Sequence, residues 1–287
     1  MMQPTPWSVI AYNTASQSQN KIHDDEVAKR YGFRGGLVPG VDDYAYLSHV
    51  PVELWGLDWL EHGSMSARFH EPVYEGQRVE VRSGPVEHRD GREHGSLDVV
   101  ALELIAPDVG GPDGTVCATG QAAVDHVAAE PLPPRAAEPI GPLPDPAPAA
   151  TPESLAVGTT FTLPARPFDA DAHAAYVADV RETLPLYDTE RVAHPGWVLR
   201  RANRILAGNV AMGPWIHVSS DVQNRRLVRH GDHVGARAVV SAEWERKGHR
   251  FVTLDVEIVV LDGNEVDGSN EVVAASIVHT AIYQPRG

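Results

Sequence analysis

The 287-residue chain carries 39 acidic against 24 basic residues, a formal net charge of −15. That surface repels nucleic acid and anionic membranes, while 43% hydrophobic and 22% charged residues suit a globular chain with one large or two ordinary cores. Cys117 is the only cysteine, so no intrachain disulfide and no thiolate metal cluster can form. It lies in an apolar strand-like stretch, Thr-Val-Cys-Ala-Thr, and is expected to be buried and inert. The opening Met-Met-Gln-Pro-Thr-Pro-Trp lacks the basic region and apolar run of a signal peptide, and no window approaches a membrane span. A cytoplasmic protein is the expectation.

Residues 18–40 read S-Q-N-K-I-H-D-D-E-V-A-K-R-Y-G-F-R-G-G-L-V-P-G. His23 stands at the mouth of a short acidic helix that Asp24 is suited to cap, and glycines then allow a tight approach to a second helix beginning at Val38-Pro39-Gly40. A histidine moves protons near neutral pH, and free N–H groups at a helix N-terminus can hold a developing oxyanion. One segment therefore offers a base and an anion hole. A helix-like run from Val41 to Leu60 follows, then strand patterns at 66–69, 78–82, 95–105 and 120–127, with a turn at Glu75-Gly76-Gln77.

From 128 to 152 the chain is dense in proline and alanine, with nine prolines between Pro131 and Pro152, and this reads as a linker rather than a core element. Beyond it the pattern repeats. His194-Pro195-Gly196 precedes the helix-like run Trp197 to Leu206, and strand patterns at 216–222, 234–244, 250–261 and 274–283 surround the turn His230-Gly231-Asp232. Gly40 to Gly76 spans 76 − 40 = 36 positions and Gly196 to Gly231 spans 231 − 196 = 35, which reads as an internal duplication.

Asn20, Ile22, His23, Asp25 and Ala28 resemble the fingerprint of the MaoC-like, R-specific enoyl-CoA hydratases and dehydratases of the hot-dog fold. That fingerprint runs Asp-x-Asn-Pro-[Ile/Leu]-His, then an acidic residue and an alanine. Lys21 stands where proline is usual and Ser18 where the family places its catalytic Asp. The resemblance implies an α+β double hot-dog, two units each with an antiparallel sheet wrapped round a central helix: residues 1–127, a linker at 128–153, and residues 154–287. It also implies reversible hydration of a 2-enoyl thioester of CoA or a carrier protein, with no cofactor and no metal. His23 would be the general acid/base, Asn20 its orienting partner, and Ser18 a hydrogen-bonding stand-in. The N–H groups near Gly40 and Val41 would hold the thioester oxygen. A homodimer or a hetero-assembly is the expected association.

Two other classes remain open at this point. A thioesterase on the same fold would activate water with Asp42, Asp43 or Glu26, although the first two are expected as surface or capping residues in the first turn of their helix. A non-catalytic acyl-binding or scaffold subunit would take its acid from a partner chain. In the second half His194 takes the place of Val38, and Asp169, Asp171 and Tyr176 fall where the His23 segment would lie; this half reads as a degenerate, substrate-cradling partner. Trp197, Trp215 and Trp244 are expected to fill the core or wall an acyl tunnel. Fourteen histidines show no tight ligand spacing, and no phosphate-binding glycine motif is present. An anionic CoA would need a local basic patch, for which Arg225, Arg226 and Arg229, or Arg30 and Arg34, are available.

Overall fold

The first half builds β1 (Trp7–Ile10), α1 (Asp25–Arg30), α2 (Gly40–His62), β2 (Ser64–Phe69), β3 (Arg78–Ser83), β4 (Glu87–Gly91), β5 (Gly95–Ala106) and β6 (Thr115–Asp125). The second builds β7 (Thr160–Pro167), α3 (Ala170–Asp179), α4 (Leu186–Thr189), α5 (Pro195–Asn209), β8 (Ile216–Asn224), β9 (His233–Arg246), β10 (His249–Leu261) and β11 (Glu271–Gln284). The computed structural model describes residues 4–91, 95–125, 140–261 and 271–286. Residues 128–139 of the expected linker, and 126–127 of the strand before it, lie outside these.

Among the described residues the strands form one sheet in the order β1-β3-β5-β6-β2-β8-β11-β10-β9-β7, with β4 beside β5. Read outward from the seam, β2-β6-β5-β3-β1 is matched by β8-β11-β10-β9-β7, so both halves share one topology. The seam is the antiparallel pair β2–β8, from Ser64↔Gln223 to Arg68↔Ser219. This is the double hot-dog architecture. Long antiparallel strands wrap two helices, α2 and α5, that pack against each other. Residues Val41 to Val52 of α2 are buried without a break, as a helix enclosed on every side must be. Gly56, at φ 57°, kinks the far end of α2.

Backbone pairings fix how the halves correspond. Leu37 bridges Tyr74 as Val192 bridges Arg229. The Val38 N–H donates to the Val73 carbonyl (2.8 Å) as Ala193 does to Val228 (2.9 Å). Both turns close on a glycine in the left-handed region, Gly76 at φ 73° and Gly231 at φ 91°. The offset is 192 − 37 = 229 − 74 = 231 − 76 = 155 throughout. Gly40 therefore corresponds to Pro195, and His194 to Pro39 rather than to Val38 as the sequence alignment had it. The one-residue mismatch in spacing disappears, since 231 − 195 = 36. Matching the two Pro-Gly pairs misplaced the second helix because its first residue is the proline itself, which is well suited to a first helical turn.

Residues 140–153 are largely exposed yet tied to the second half. Pro148 accepts from the Ala211 N–H (2.7 Å), Ala150 donates to the Ala211 carbonyl (2.9 Å), and Leu143 lies against Gly208 of α5.

Candidate active site

Asn20 opens the site. Its side chain caps a 3-10 turn, Lys21–His23, by accepting from the Ile22 N–H (3.3 Å). The same amide reaches the other half of the molecule: Oδ1 accepts from the Trp215 N–H (3.1 Å) and Nδ2 donates to the Trp215 carbonyl (3.0 Å). Gripped on both sides, Nδ2 faces His23 Nε2 at 3.3 Å. His23 Nδ1 lies 2.7 Å from the Leu37 carbonyl, which can only accept, so the proton of the neutral ring sits on Nδ1 and Nε2 carries the lone pair. Burial holds the His23 pKa below its ordinary value, against the opposing pull of the Leu37 bond and of Asp42, so the neutral base persists at neutral pH.

The loop over His23 is tied down by its neighbours. Asn13 Nδ2 donates to the His23 carbonyl (2.9 Å), and Asp25 accepts from the Gly36 N–H (2.7 Å). Gly36 itself rests on the His23 carbonyl, where a Cβ would collide. Asp24 caps α1 through the N–H groups of Glu26 and Val27, both at 3.0 Å.

His23 and Asn20 line a cleft of about 320 Å³ together with Gly40, Asp43, Asn203 and His217. Val38, Phe69 and Trp215 supply apolar wall. α2 begins at Gly40 with Pro39 before it and no side-chain cap, which leaves the first N–H groups, at Gly40 and Val41, without a side-chain acceptor at the positive end of the helix dipole; Gly40 lines the cleft, while Val41 is buried beside it. His217, from β8 of the second half, presses its Nδ1 to within 3.0 Å of where a Gly40 Cβ would stand. Its Nε2 meets Ser220 Oγ (2.8 Å), which meets His279 Nδ1 (3.0 Å), a buried chain whose cleft end has no protein partner. Burial, reinforced by His279, keeps His217 well below the usual histidine range.

The structure brings His23, Asn20 and Gly40 together at the cleft, while Val41 is buried and does not line it. Ser18 is placed elsewhere: its Oγ donates to the Asn20 carbonyl (3.1 Å), and it does not line the cleft. Asp42 and Asp43 are not surface caps but buried, at 0% and 3% exposure. Asp42 accepts from Arg200 of α5 (2.9 and 3.0 Å), Thr14 (2.5 Å) and Tyr176 (3.4 Å). Asp43 faces the cleft, and its Oδ1 has no hydrogen-bond partner. Glu26 is exposed and paired with Lys29 (2.9 Å), outside the cleft lining. Trp215 walls the cleft as expected, whereas Trp244 stacks on Phe251. Of the basic candidates, Arg226 pairs with Asp232 (2.8 Å) and Arg34 stacks over Tyr74 (4.1 Å). Asn203 and His217 carried no local signal in the sequence, because only the packing of the second half on the first brings them here. Cys117 is buried, its thiol pushed up to about 12 by burial and then by Asp43. Among the described residues no group of three or more His, Cys, Asp or Glu could hold a metal ion, and no helix is long and apolar enough to cross a membrane.

The corresponding position in the second half is closed. Around Pro195 the cavity shrinks to about 20 Å³, lined by Leu60, Ala193, Val198 and Leu227. His194 caps α5 by accepting from the Gly196 N–H (3.1 Å), and its own N–H donates to His173 (2.9 Å). Asp169 caps α3, and Asp171 pairs with Arg191 (2.9 Å).

Solved structures share this architecture. A MaoC domain protein described as a dehydratase, from Chloroflexus aurantiacus, matches 99% of this chain and 94% of its own at 15% identity with a TM-score of 0.63. A Mycobacterium tuberculosis protein with a double hot-dog fold matches 98% and 96% at 11% identity, TM-score 0.66, and a MaoC-like dehydratase 97% and 98% at 10% identity, TM-score 0.63. Two of these neighbours are thus described as MaoC dehydratases and the third by its double hot-dog fold, and at 10–15% identity the likeness shows the fold, shared by both halves of the described chain. No family model matches the sequence, and no curated protein sequence does.

Proposed function

We propose that the protein hydrates a 2-enoyl thioester reversibly, or dehydrates the matching 3-hydroxyacyl thioester, with His23 as the general base. The observation that carries this reading is the setting of the His23 ring: Nδ1 lies 2.7 Å from the Leu37 carbonyl, which puts the unprotonated nitrogen at Nε2, met by Asn20 Nδ2 at 3.3 Å, and the residue lines a cleft shared with the uncapped start of α2, where water has to displace Asn20 from Nε2. Nε2 takes a proton from water as the water oxygen bonds to C3. The electron pair of the double bond moves onto the thioester oxygen, where the Gly40 and Val41 N–H groups meet the developing charge. Asn20 holds the ring in place through Trp215. The apolar walls accept an acyl chain, and a CoA or carrier-protein thioester supplies it.

The thioesterase reading is weaker on this geometry. It needs an ionised carboxylate to activate water, but Asp42 is committed to Arg200, Glu26 lies outside the cleft, and burial keeps Asp43 protonated well above the carboxylate range. The test is a panel of crotonyl-CoA, a longer enoyl-CoA and a branched dicarboxylic enoyl-CoA, followed by loss of the enoyl absorbance. Loss of absorbance with one of them is expected. CoA release from a saturated acyl-CoA instead would establish the thioesterase, and binding without turnover a scaffold.

A further inference from the structure

Hydration breaks one O–H bond of water and makes one C2–H bond; His23 takes the proton at the first, and the second needs a group that delivers a proton to C2. The cleft contains a second proton-bearing group that has no other task. Asp43 lies three residues beyond Gly40, one turn along α2, and so faces the same side as the N–H groups at the helix start. Its carboxyl lines the cleft, it is 3% exposed, and Oδ1 is buried without a hydrogen-bond partner. Asp42, next to it, is fully engaged by Arg200, Thr14 and Tyr176 and is not free to act.

Position 43 corresponds to 43 + 155 = 198 in the second half, where the fold has Val198 against a cavity of about 20 Å³. A helix wrapped by the sheet asks for an apolar residue there. The first half sets a carboxyl in that place and leaves an open cleft in front of it.

We propose that Asp43 is the proton donor to C2 of the enoyl thioester, taking the role of acid that Ser18 does not fill; this rests on the hydratase reading of the cleft. In hydration the water oxygen bonds to C3 while His23 Nε2 takes the water proton. The C2–C3 π bond breaks and its pair forms the enolate held at Gly40 and Val41. The enolate carbonyl then re-forms, and C2 bonds to the proton released by the Asp43 O–H. Imidazolium and carboxylate are left, and transfer of the proton from His23 to Asp43 through water restores both. Dehydration runs the same steps backward.

The environments agree with this division of labour. Burial lowers the His23 pKa and keeps it a base; burial, with the neighbouring Asp42 charge, raises that of Asp43 and keeps it an acid. The other titratable groups around Asp43 are Tyr46 on its own helix, Cys117 on β6, and His70, Glu71, His217 and His249 along the cleft.

Asp43→Asn discriminates, because the amide keeps the shape and the hydrogen-bonding capacity but has no proton to give. The experiment compares wild type, His23→Ala and Asp43→Asn on the best enoyl-CoA of the panel, with thermal melting and with binding of the saturated acyl-CoA read by tryptophan fluorescence. Expected for Asp43→Asn is a kcat loss of about 10²–10⁴-fold with KM, saturated-thioester binding and folding retained. A wild-type-like kcat in Asp43→Asn, with His23→Ala inactive, overturns the role of Asp43 and leaves the hydratase reading standing. No hydration by wild type overturns both. Should Asp43→Asn not fold, Asp43→Ser replaces it, and loss of folding in that variant too assigns Asp43 to structure and overturns the proposal.

Discussion

The two halves carry the same helix start on the same sheet, and one is open where the other is sealed. At Gly40 no side chain caps α2, and three buried polar atoms in front of it lack protein partners: Asp43 Oδ1, Asn203 Oδ1 and His217 Nδ1. At Pro195 the first turn is capped by His194, whose backbone is in turn bound by His173, and Tyr176, Tyr187 and Trp197 fill the surrounding space. Below it Glu182 accepts from His49 of α2 (2.9 Å) and from the N–H groups of Thr183 (2.6 Å) and Leu184 (2.8 Å), while His194 stands 3.7 Å away. A helix N-terminus is thus not a site by position alone. What separates the halves is access: His173 Nδ1, Tyr187 Oη and His194 Nε2 of the sealed half also lack hydrogen-bond partners, but only the unpaired atoms before Gly40 face an open cleft, of about 320 Å³ against about 20 Å³.

The comparison breaks most sharply at His23. His23→Ala should lower kcat by about 10²–10⁴-fold while the protein still folds, with stability reduced by only about 0.5–1.5 kcal/mol through loss of the bond to the Leu37 carbonyl. Enoyl absorbance read beside a thermal melt checks both. A wild-type rate would mean that the open half does not do the chemistry.

The sealed half should respond in stability instead. A Cβ at Gly196 would meet the Tyr176 hydroxyl and stand 2.7 Å from Ala45 Cβ, at the crossing of α2 and α5. Gly196→Ala should cost about 1–3 kcal/mol in denaturant unfolding through overpacking. An unchanged midpoint would show that the helices separate more readily than the packing implies.

Glu182 sharpens the same contrast through pH. Burial pushes its pKa up, but the hydrogen bonds and charges of His194 and His49 outweigh that and hold it well below the usual range. A depressed folded-state value means that its stabilisation is present above the unfolded pKa of about 4.3 and is lost as pH falls below it. Glu182→Gln should lower stability at pH 7 by about 1–3 kcal/mol and flatten the acid limb of the stability profile. A parallel acid limb in the variant would place the titration elsewhere.

The smallest effect is expected at Ser18, whose Oγ turns to the Asn20 carbonyl and not to the cleft. Ser18→Asp should leave the hydration rate near wild type and change stability by no more than about 0.5 kcal/mol. A marked gain in rate would mean that the loop swings a residue at 18 onto His23.

Much of this was readable without coordinates. The alternating runs and the repeated glycine turns marked the duplicated strands, because side-chain period and left-handed turns are local demands of the backbone. The expected helix at 41–60 is α2, Gly40–His62, and the expected strand at 250–261 is β10, His249–Leu261. The alignment slipped by one residue at His194 because proline, glycine and histidine all serve at helix starts, and only the backbone pairs Leu37↔Tyr74 and Val192↔Arg229 fix which is which. Asp42 and Asp43 were misread as surface caps since two acids in a first helical turn are ordinary on an exposed helix. Nothing local reveals that this helix is enclosed.

The sequence by itself determined the elements, the duplication and the presence of a histidine beside an asparagine in a tight turn. Tertiary structure alone decided what that histidine is. Its ring proton is set by a carbonyl 14 residues away, and its neighbour is held by Trp215, 195 residues away. Whether a buried carboxyl is paired, as at Asp42, or left facing a cleft, as at Asp43, likewise depends on which side chains of the other half arrive against it. Periodicity and capping act within a few residues, but protonation states follow from burial and from partners brought together by the whole fold.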